Sequence, residues 1–110
     1  VYTGTHDNDT TRGWLSSAGE EDLRLALDYL GLEDAAGGTW AFIRAALSSV
    51  ADLAIVPFQD YLDLGSEARI NTPSTQGANW RWRLAQPLPA ALAGHIAALT
   101  TLYERVPKAL

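Results

Sequence analysis

The sequence predicts an α/β fold that is rich in helices and has few strands. Two short apolar stretches, residues 1–5 and 53–58, have the composition of strands, and the second is continuous enough to be buried on both faces. Segments with apolar residues at helical spacing lie between these stretches and after them. Because strands joined through helices form a βαβ unit, we expect the two strands to run parallel.

The first predicted helix follows the first strand and a polar turn. Ser17 and Glu20 have the spacing of a capping box, and Gly31 stands where a glycine C-cap is expected. Apolar residues recur between them at helical spacing, at Leu23, Ala26, Leu27 and Leu30. We therefore expect one helix here, followed by a glycine-bearing loop over residues 32–38.

Two further helices are predicted downstream. Thr39 is the expected cap of the second helix, whose apolar face comprises Trp40, Ile43, Leu47 and Val50. Pro87 and Pro89 suit the start of the last helix, whose apolar face comprises Leu88, Leu92, Ile96, Leu99, Leu102, Tyr103 and Val106. Residues 60–86 form a long irregular segment, and loops of that length in a compact domain are usually functional or disordered.

Composition excludes several classes of partner. The net charge of −5 and the pI near 4.7 argue against nucleic acid and anionic membranes. No apolar run reaches the roughly 18–20 residues of a membrane span. The absence of cysteine excludes disulfides and fits a reducing compartment, so we expect a cytoplasmic protein. The absence of methionine predicts that residues 1–110 are one excised segment of a longer chain.

Polar residues follow both predicted strands. His6 and Asp7 come after the first strand, and Gln59 and Asp60 come at the end of the second. Since parallel strands end at the same edge of a sheet, both pairs should face one crevice. That crevice is where α/β folds place their sites, most consistently in the (β/α)₈ barrel. A barrel takes about 250 residues, so its other strands would have to come from upstream sequence.

The densest polar cluster comprises residues 6–10. A carboxylate beside an imidazole can stabilise developing positive charge, but an Asx-rich turn that caps the next helix explains the same residues, and spacing alone favours the turn. Asp7 and Asp9 match the start of a calcium loop, yet Arg12 and Ala18 stand where that loop needs Gly and Glu. No cluster of His and Cys indicates zinc, so we expect no metal.

A second distinctive segment, residues 79–83, alternates Trp and Arg. In an extended backbone Trp80 and Trp82 would share one face, and Arg81 and Arg83 the other. Such a face could stack on sugar rings, whereas the favoured interpretation is that the tryptophans anchor a long loop to the core. Trp14 and Trp40 are expected in the core, and His95 is expected to be a packed or boundary histidine.

Three motifs, in order, resemble glycoside hydrolase family 77. Residues 1–14 (VYTGTHDNDTTRGW) resemble the region that carries one of its catalytic carboxylates. Residues 57–71 (PFQDYLDLGSEARIN) resemble its last barrel strand and following loop, and residues 71–83 (NTPSTQGANWRWR) resemble its terminal signature. The resemblance implies the C-terminal part of a (β/α)₈ TIM barrel, with the last two strands and their helices, incomplete as an isolated chain.

The resemblance also implies an activity. The family comprises 4-α-glucanotransferases (amylomaltases, or disproportionating enzymes), which transfer α-1,4-glucan segments between maltooligosaccharides or to glucose, with retention and without cofactor or metal. Asp7 matches a third carboxylate that supports the transition state, and His6 matches a histidine that binds the sugar next to the broken bond. Asn71 matches a substrate-contacting asparagine, and Asp60 is expected near the substrate. Asp9 is expected to organise the loop or cap the helix.

Retaining transfer needs a nucleophile and a general acid/base, whose motifs lie upstream in the family. We therefore expect the isolated chain to be inactive and, because its strands lack partners, to self-associate. Two alternatives stay open. One is a non-catalytic glucan-binding module that uses Trp80 and Trp82, and the other is a helical interaction domain whose polar clusters are ordinary turns.

Overall fold

The computed structural model describes residues 1–108, in which helices dominate. The α-helices in those residues are α1 (Thr11–Ser17), α2 (Glu20–Leu30), α3 (Gly38–Ser48), α4 (Phe58–Tyr61) and α5 (Ala90–Leu102). A 3₁₀ turn covers Ser66–Ala68. The short helices α1 and α4 were not predicted, and both lie beside the polar clusters.

The two predicted strands are reduced to one parallel bridge, between Tyr2 and Ile55. The Ile55 N–H donates to the carbonyl of Val1 at 2.9 Å, and the Thr3 N–H donates to the carbonyl of Ile55 at 3.3 Å. The parallel direction is as predicted, but the predicted strand lengths are wrong. The second stretch ends before Phe58, since that residue begins α4. Within residues 1–108, neither stretch has a further strand beside it to extend the ladder.

Helix α1 begins directly after the polar cluster. Thr10 is its N-cap: the backbone is extended there, and the threonine hydroxyl accepts a hydrogen bond from the Gly13 N–H at 3.1 Å. The cap is therefore a threonine, whereas the sequence predicted a cap by Asp or Asn.

The predicted capping box of Ser17 and Glu20 is wrong. Ser17 is the last residue of α1, and its hydroxyl donates to the carbonyl of Gly13 at 2.9 Å. Helix α2 begins at Glu20 after Gly19, without a side-chain cap. The expected C-cap is confirmed, because Gly31 has the left-handed φ of 71° that a glycine adopts without strain.

Helix α3 lies at the centre of the core. Ile43 and Leu47 are buried against Leu99 of α5, and the partly buried residues packed against them are Trp40, Ala54, Val56, Tyr61 and Tyr103. Burial raises the pKa of the Tyr61 phenol above its usual value. The predicted cap Thr39 is wrong, since α3 begins at Gly38 and Thr39 is buried, donating its hydroxyl to Asp63 at 2.6 Å.

The remaining core predictions are mixed. His95 is exposed, contrary to the prediction, although its ring stacks on the half-buried Trp40 with ring centroids 4.0 Å apart. Trp14 is wrong as a core residue: it is 36% exposed and packs edge-on against Phe42. Val50 is fully exposed because α3 ends two residues before it.

Helix α5 is shorter than predicted, so Leu88 and Val106 lie outside it, both largely exposed. Arg105, just beyond α5, ties the helix to the end of α3. Its guanidinium donates to the carbonyls of Leu47, Ser49 and Ala51 at 2.7, 3.1 and 2.9 Å. The segment 60–86 is irregular, as predicted, apart from the end of α4 and the 3₁₀ turn.

Candidate active site

The buried carboxylate of Asp60, in α4, forms hydrogen bonds with residues on both sides of the polar cluster. Asp60 is 2% exposed. One of its oxygens accepts the Thr11 N–H at 2.9 Å, and the other accepts the hydroxyls of Thr3 and Thr11 at 2.7 and 2.8 Å. These bonds connect the residues on both sides of the cluster to α4. The structure thus buries Asp60 next to the site, with its carboxylate bonded to Thr3 and Thr11.

Asp7 lies at the open side of the cluster, with its side chain half exposed. One carboxylate oxygen accepts a hydrogen bond from the Asn71 amide nitrogen Nδ2 at 2.7 Å. The other oxygen is 3.4 Å from Nε2 of His6, whose side chain is also half exposed. The structure therefore brings together the three predicted residues His6, Asp7 and Asn71. Asp7 and Asn71 are 64 positions apart in the sequence.

Main-chain contacts hold Asn71 against the cluster. The Asn71 N–H donates to the carbonyl of His6 at 3.1 Å. The Arg69 guanidinium donates from Nη2 to the carbonyl of Asp7 and from Nε to the carbonyl of Asn71, both at 2.8 Å. Arg69 thus bridges the two chain segments that carry the site.

Trp80 completes the exposed rim of the site. Its ring lies 5.0 Å from that of His6, tilted by 34°, and it is 59% exposed. Trp80 has a left-handed φ of 62°, and its N–H donates to the carbonyl of Ile70 at 2.7 Å. A residue with that φ is not extended, so the predicted alternation over residues 79–83 does not form. Trp82 is half-buried in a separate cleft, beside Leu62.

The cluster is also an ordered turn. The Asn8 side-chain oxygen accepts the N–H of Thr5 at 2.7 Å, a local bond between side chain and main chain. Asp9 accepts the Thr10 N–H and the Ser66 hydroxyl, each at 2.8 Å, so it organises the loop as expected. The two interpretations of the cluster are therefore compatible: Asn8 and Asp9 build the turn, and the turn presents Asp7.

Sequence reasoning missed Arg69 and Ser66 as parts of the site. Arg69 is the only charged residue between 68 and 80, and this isolated charge in a polar loop was the available signal. Ser66 carried no signal, because a serine in a loop is ordinary and its partner Asp9 is 57 positions away.

An exposed carboxylate, an imidazole and a carboxamide present acceptors and donors that match sugar hydroxyls, while an indole face provides apolar area beside them. This combination is compatible with the binding of a carbohydrate. Comparisons with known proteins then give the family.

The family model for the 4-α-glucanotransferases of glycoside hydrolase family 77 matches residues 1–89. The 4-α-glucanotransferase of Synechocystis sp. is 50% identical over 106 residues, which are 96% of this chain and 21% of that protein. The one from Clostridium butyricum is 47% identical over 107 residues, 96% of this chain and 22% of that protein. The chain therefore belongs to the 4-α-glucanotransferase family.

A solved structure agrees with the sequence matches. The amylomaltase from Streptococcus agalactiae in complex with acarbose superposes with a TM-score of 0.86 at 31% identity, covering 94% of this chain and 21% of that chain. The chain thus spans about a fifth of the length of its relatives. A relative from Arabidopsis thaliana is described as chloroplastic or amyloplastic, so the cytoplasmic location stays a prediction.

Residues 1–108 contain no group of three or more His, Cys, Asp and Glu side chains able to hold a metal ion. None of the helices in this part of the chain has the length and apolar character needed to cross a bilayer.

Proposed function

We propose that this chain is the C-terminal part of the catalytic (β/α)₈ barrel of a retaining 4-α-glucanotransferase. The intact enzyme would transfer α-1,4-glucan segments between maltooligosaccharides or to glucose, without metal or cofactor. Membership of the family supports the reaction class. The observation that supports a part in the chemistry is the half-exposed Asp7 carboxylate, which Asn71 and His6 hold on its two oxygens.

Retaining transfer proceeds through a positively charged, oxocarbenium-like transition state and a covalent glycosyl-enzyme intermediate. A nucleophile and a general acid/base about 5–5.5 Å apart form and break that bond. We assign Asp7 to a third role, in which its fixed negative charge stabilises the developing positive charge on the sugar ring. The nucleophile and the acid/base would come from upstream sequence, so the isolated chain would not catalyse transfer.

His6 and Asn71 would bind the sugar next to the broken bond. Both are exposed enough to reach a ligand, and each already contacts the Asp7 carboxylate, so a sugar bound to them would lie beside that charge. Their second role would be to fix the carboxylate orientation before substrate arrives, which avoids reorganisation during the reaction. The Streptococcus agalactiae neighbour was solved with acarbose, which is consistent with a site for oligosaccharides.

A chimera tests the proposal. In the Synechocystis enzyme, this chain would replace the matching 106 residues, to which it is 50% identical. The chimera is expected to convert maltotriose to longer oligosaccharides. Asp7→Asn keeps the shape and the contact with Asn71 but removes the charge, so we expect kcat to fall about 10²- to 10³-fold with little change in thermal unfolding.

Three comparisons make that experiment decisive. The isolated chain serves as the blank, and longer oligosaccharides above background from it would contradict the assignment of the missing groups. Asp28→Asn, an exposed acid on α2, is the matched control and should leave kcat unchanged.

Near-normal kcat in Asp7→Asn would show that Asp7 takes no part in the chemistry. Loss of calorimetrically detected glucan binding in Trp80→Ala with unchanged kcat would favour the binding-module alternative.

A further inference from the structure

Two loops that are far apart in the chain, residues 6–7 and 69–71, meet at the site without a strand or helix to align them. Asp7 must be placed to within a fraction of an ångström to stabilise a transition state, and misplacement by about 1 Å can cost on the order of 10²-fold in rate. Some other group must therefore set the distance between the loops.

The Arg69 guanidinium is placed to do so. Its Nη2 donates to the carbonyl of Asp7 and its Nε to the carbonyl of Asn71, at 2.8 Å each, so one rigid planar group fixes both main-chain segments. Between the same segments, the side chains of Asp7 and Asn71 are joined at 2.7 Å. That side-chain bond can form only when the main chains are held at the corresponding separation.

We propose that Arg69 is a positioning residue for transfer, which acts through Asp7 and Asn71 and does not bind the sugar itself. This inference rests on the proposed function of Asp7. Because both recorded bonds of Arg69 go to main-chain carbonyls, its loss would displace the Asp7 carboxylate without removing any charge that faces the ligand. The effect should therefore appear in kcat more than in KM.

Arg105 supplies a matched control within the same chain. Its guanidinium also spans carbonyls of separate residues, those of Leu47, Ser49 and Ala51, but at the far end of α3. A purely structural role for Arg69 predicts that Arg69→Met and Arg105→Met behave alike. A positioning role predicts that both lower the thermal unfolding midpoint, while only Arg69→Met lowers kcat, by about 10- to 100-fold.

The chimera with the Synechocystis enzyme provides the assay. Arg69→Lys should recover part of kcat, because an ammonium can reach one carbonyl but cannot hold both in the fork geometry of arginine. Asn71→Ala and Arg69→Met should combine non-additively, since both act on the same carboxylate. Multiplicative losses would mean that Arg69 acts independently of Asn71, and a rise in KM with unchanged kcat would mean that Arg69 contacts the sugar. Either result, or equal kcat in Arg69→Met and the parent, would overturn the proposal. An inactive parent chimera would instead count against the proposed function.

Discussion

The carboxylate of Asp60 accepts hydrogen bonds from three donors while it is 2% exposed. Its sequence position, at the end of a predicted strand, indicated a residue near the substrate, and family resemblance gave the same indication. Burial changes that interpretation. One oxygen accepts from Thr11 and the other from both Thr3 and Thr11, so we expect Asp60 to support the site by fixing the residues around it.

Substitutions at Asp60 can distinguish a structural role for this residue from direct contact with the substrate. Asp60→Ala leaves the Thr11 N–H and two hydroxyls without partners, which should cost about 2–4 kcal/mol. Asp60→Asn should cost much less, because its carbonyl can still accept the Thr11 N–H and the hydroxyls can rotate to accept from its NH₂ group. Thermal unfolding of the two chimera variants should show this order.

The same variants test the role in binding. If Asp60 only supports the site, Asp60→Asn should keep the parent KM for maltotriose. A several-fold higher KM with an unchanged unfolding midpoint would show that the carboxylate reaches the substrate after all.

At the scale of elements, α1 connects the polar cluster to the core. It has seven residues, too few for a stable isolated helix, so it depends on its Thr10 cap and on packing against α3 and the 3₁₀ turn. Gly13 allows the close approach to that turn. A Cβ there would lie within 2.6 Å of both Asp9 carboxylate oxygens and closer still to the Ser66 hydroxyl.

Two glycine substitutions test this packing. Alanine favours helix over glycine by about 1 kcal/mol, so an open helical glycine should gain stability on replacement. Gly94 of α5 has open space around it, and Gly94→Ala should raise the thermal midpoint. Gly13→Ala should lower the midpoint despite the same propensity gain, because it must break the contact between Asp9 and Ser66. A higher midpoint for Gly13→Ala would show that Asp9 and Ser66 can move apart at little cost.

The elements differ in how well the sequence predicts them. Helices α2 and α3 have clear apolar periodicity, α5 is apolar almost throughout, and Gly31 ended α2 where expected. Helices α1 and α4 are short and lack such periodicity, so only tertiary contacts such as the bond from Thr11 to Asp60 reveal why they form. The predicted strand lengths were wrong for a related reason. A strand needs neighbouring strands to pair with, and within residues 1–108 the two stretches form one bridge.

The site shows the same division. His6, Asp7 and Asn71 were predicted as site residues because they lie in motifs, and the structure brings them together, while their roles stay predictions. The role of Arg69 was not predicted, since it depends on a contact between distant segments. The geometry at Trp80 was not predicted either, because it depends on a left-handed φ that a tryptophan rarely adopts.

At the scale of the whole molecule, large apolar side chains stand in solvent. Leu25, Tyr29, Leu53 and Leu102 are between 60 and 86% exposed. The chain spans about a fifth of the length of its relatives, so the remainder of such a protein could cover these surfaces. In the isolated chain we propose that copies cover them for one another.

Sedimentation velocity tests this association. The isolated chain should form oligomers whose proportion rises with concentration, and Leu25→Lys with Tyr29→Lys on α2 should shift it toward monomer. A control pair that adds the same two charges at exposed polar positions, Ser48→Lys and Thr101→Lys, should change association less. A clean monomer of the parent chain at high concentration would contradict the proposal.

The bonds that build the site also determine when it can form during folding. Thr11 meets Asp60 across 49 positions and Asp7 meets Asn71 across 64, whereas helices form through contacts three or four positions apart. Long-range contacts form late, because the intervening chain must first lose its freedom. We therefore expect Asp7 to gain its contact with Asn71 late in folding, so that the assembled polar site exists only in chains that have completed folding.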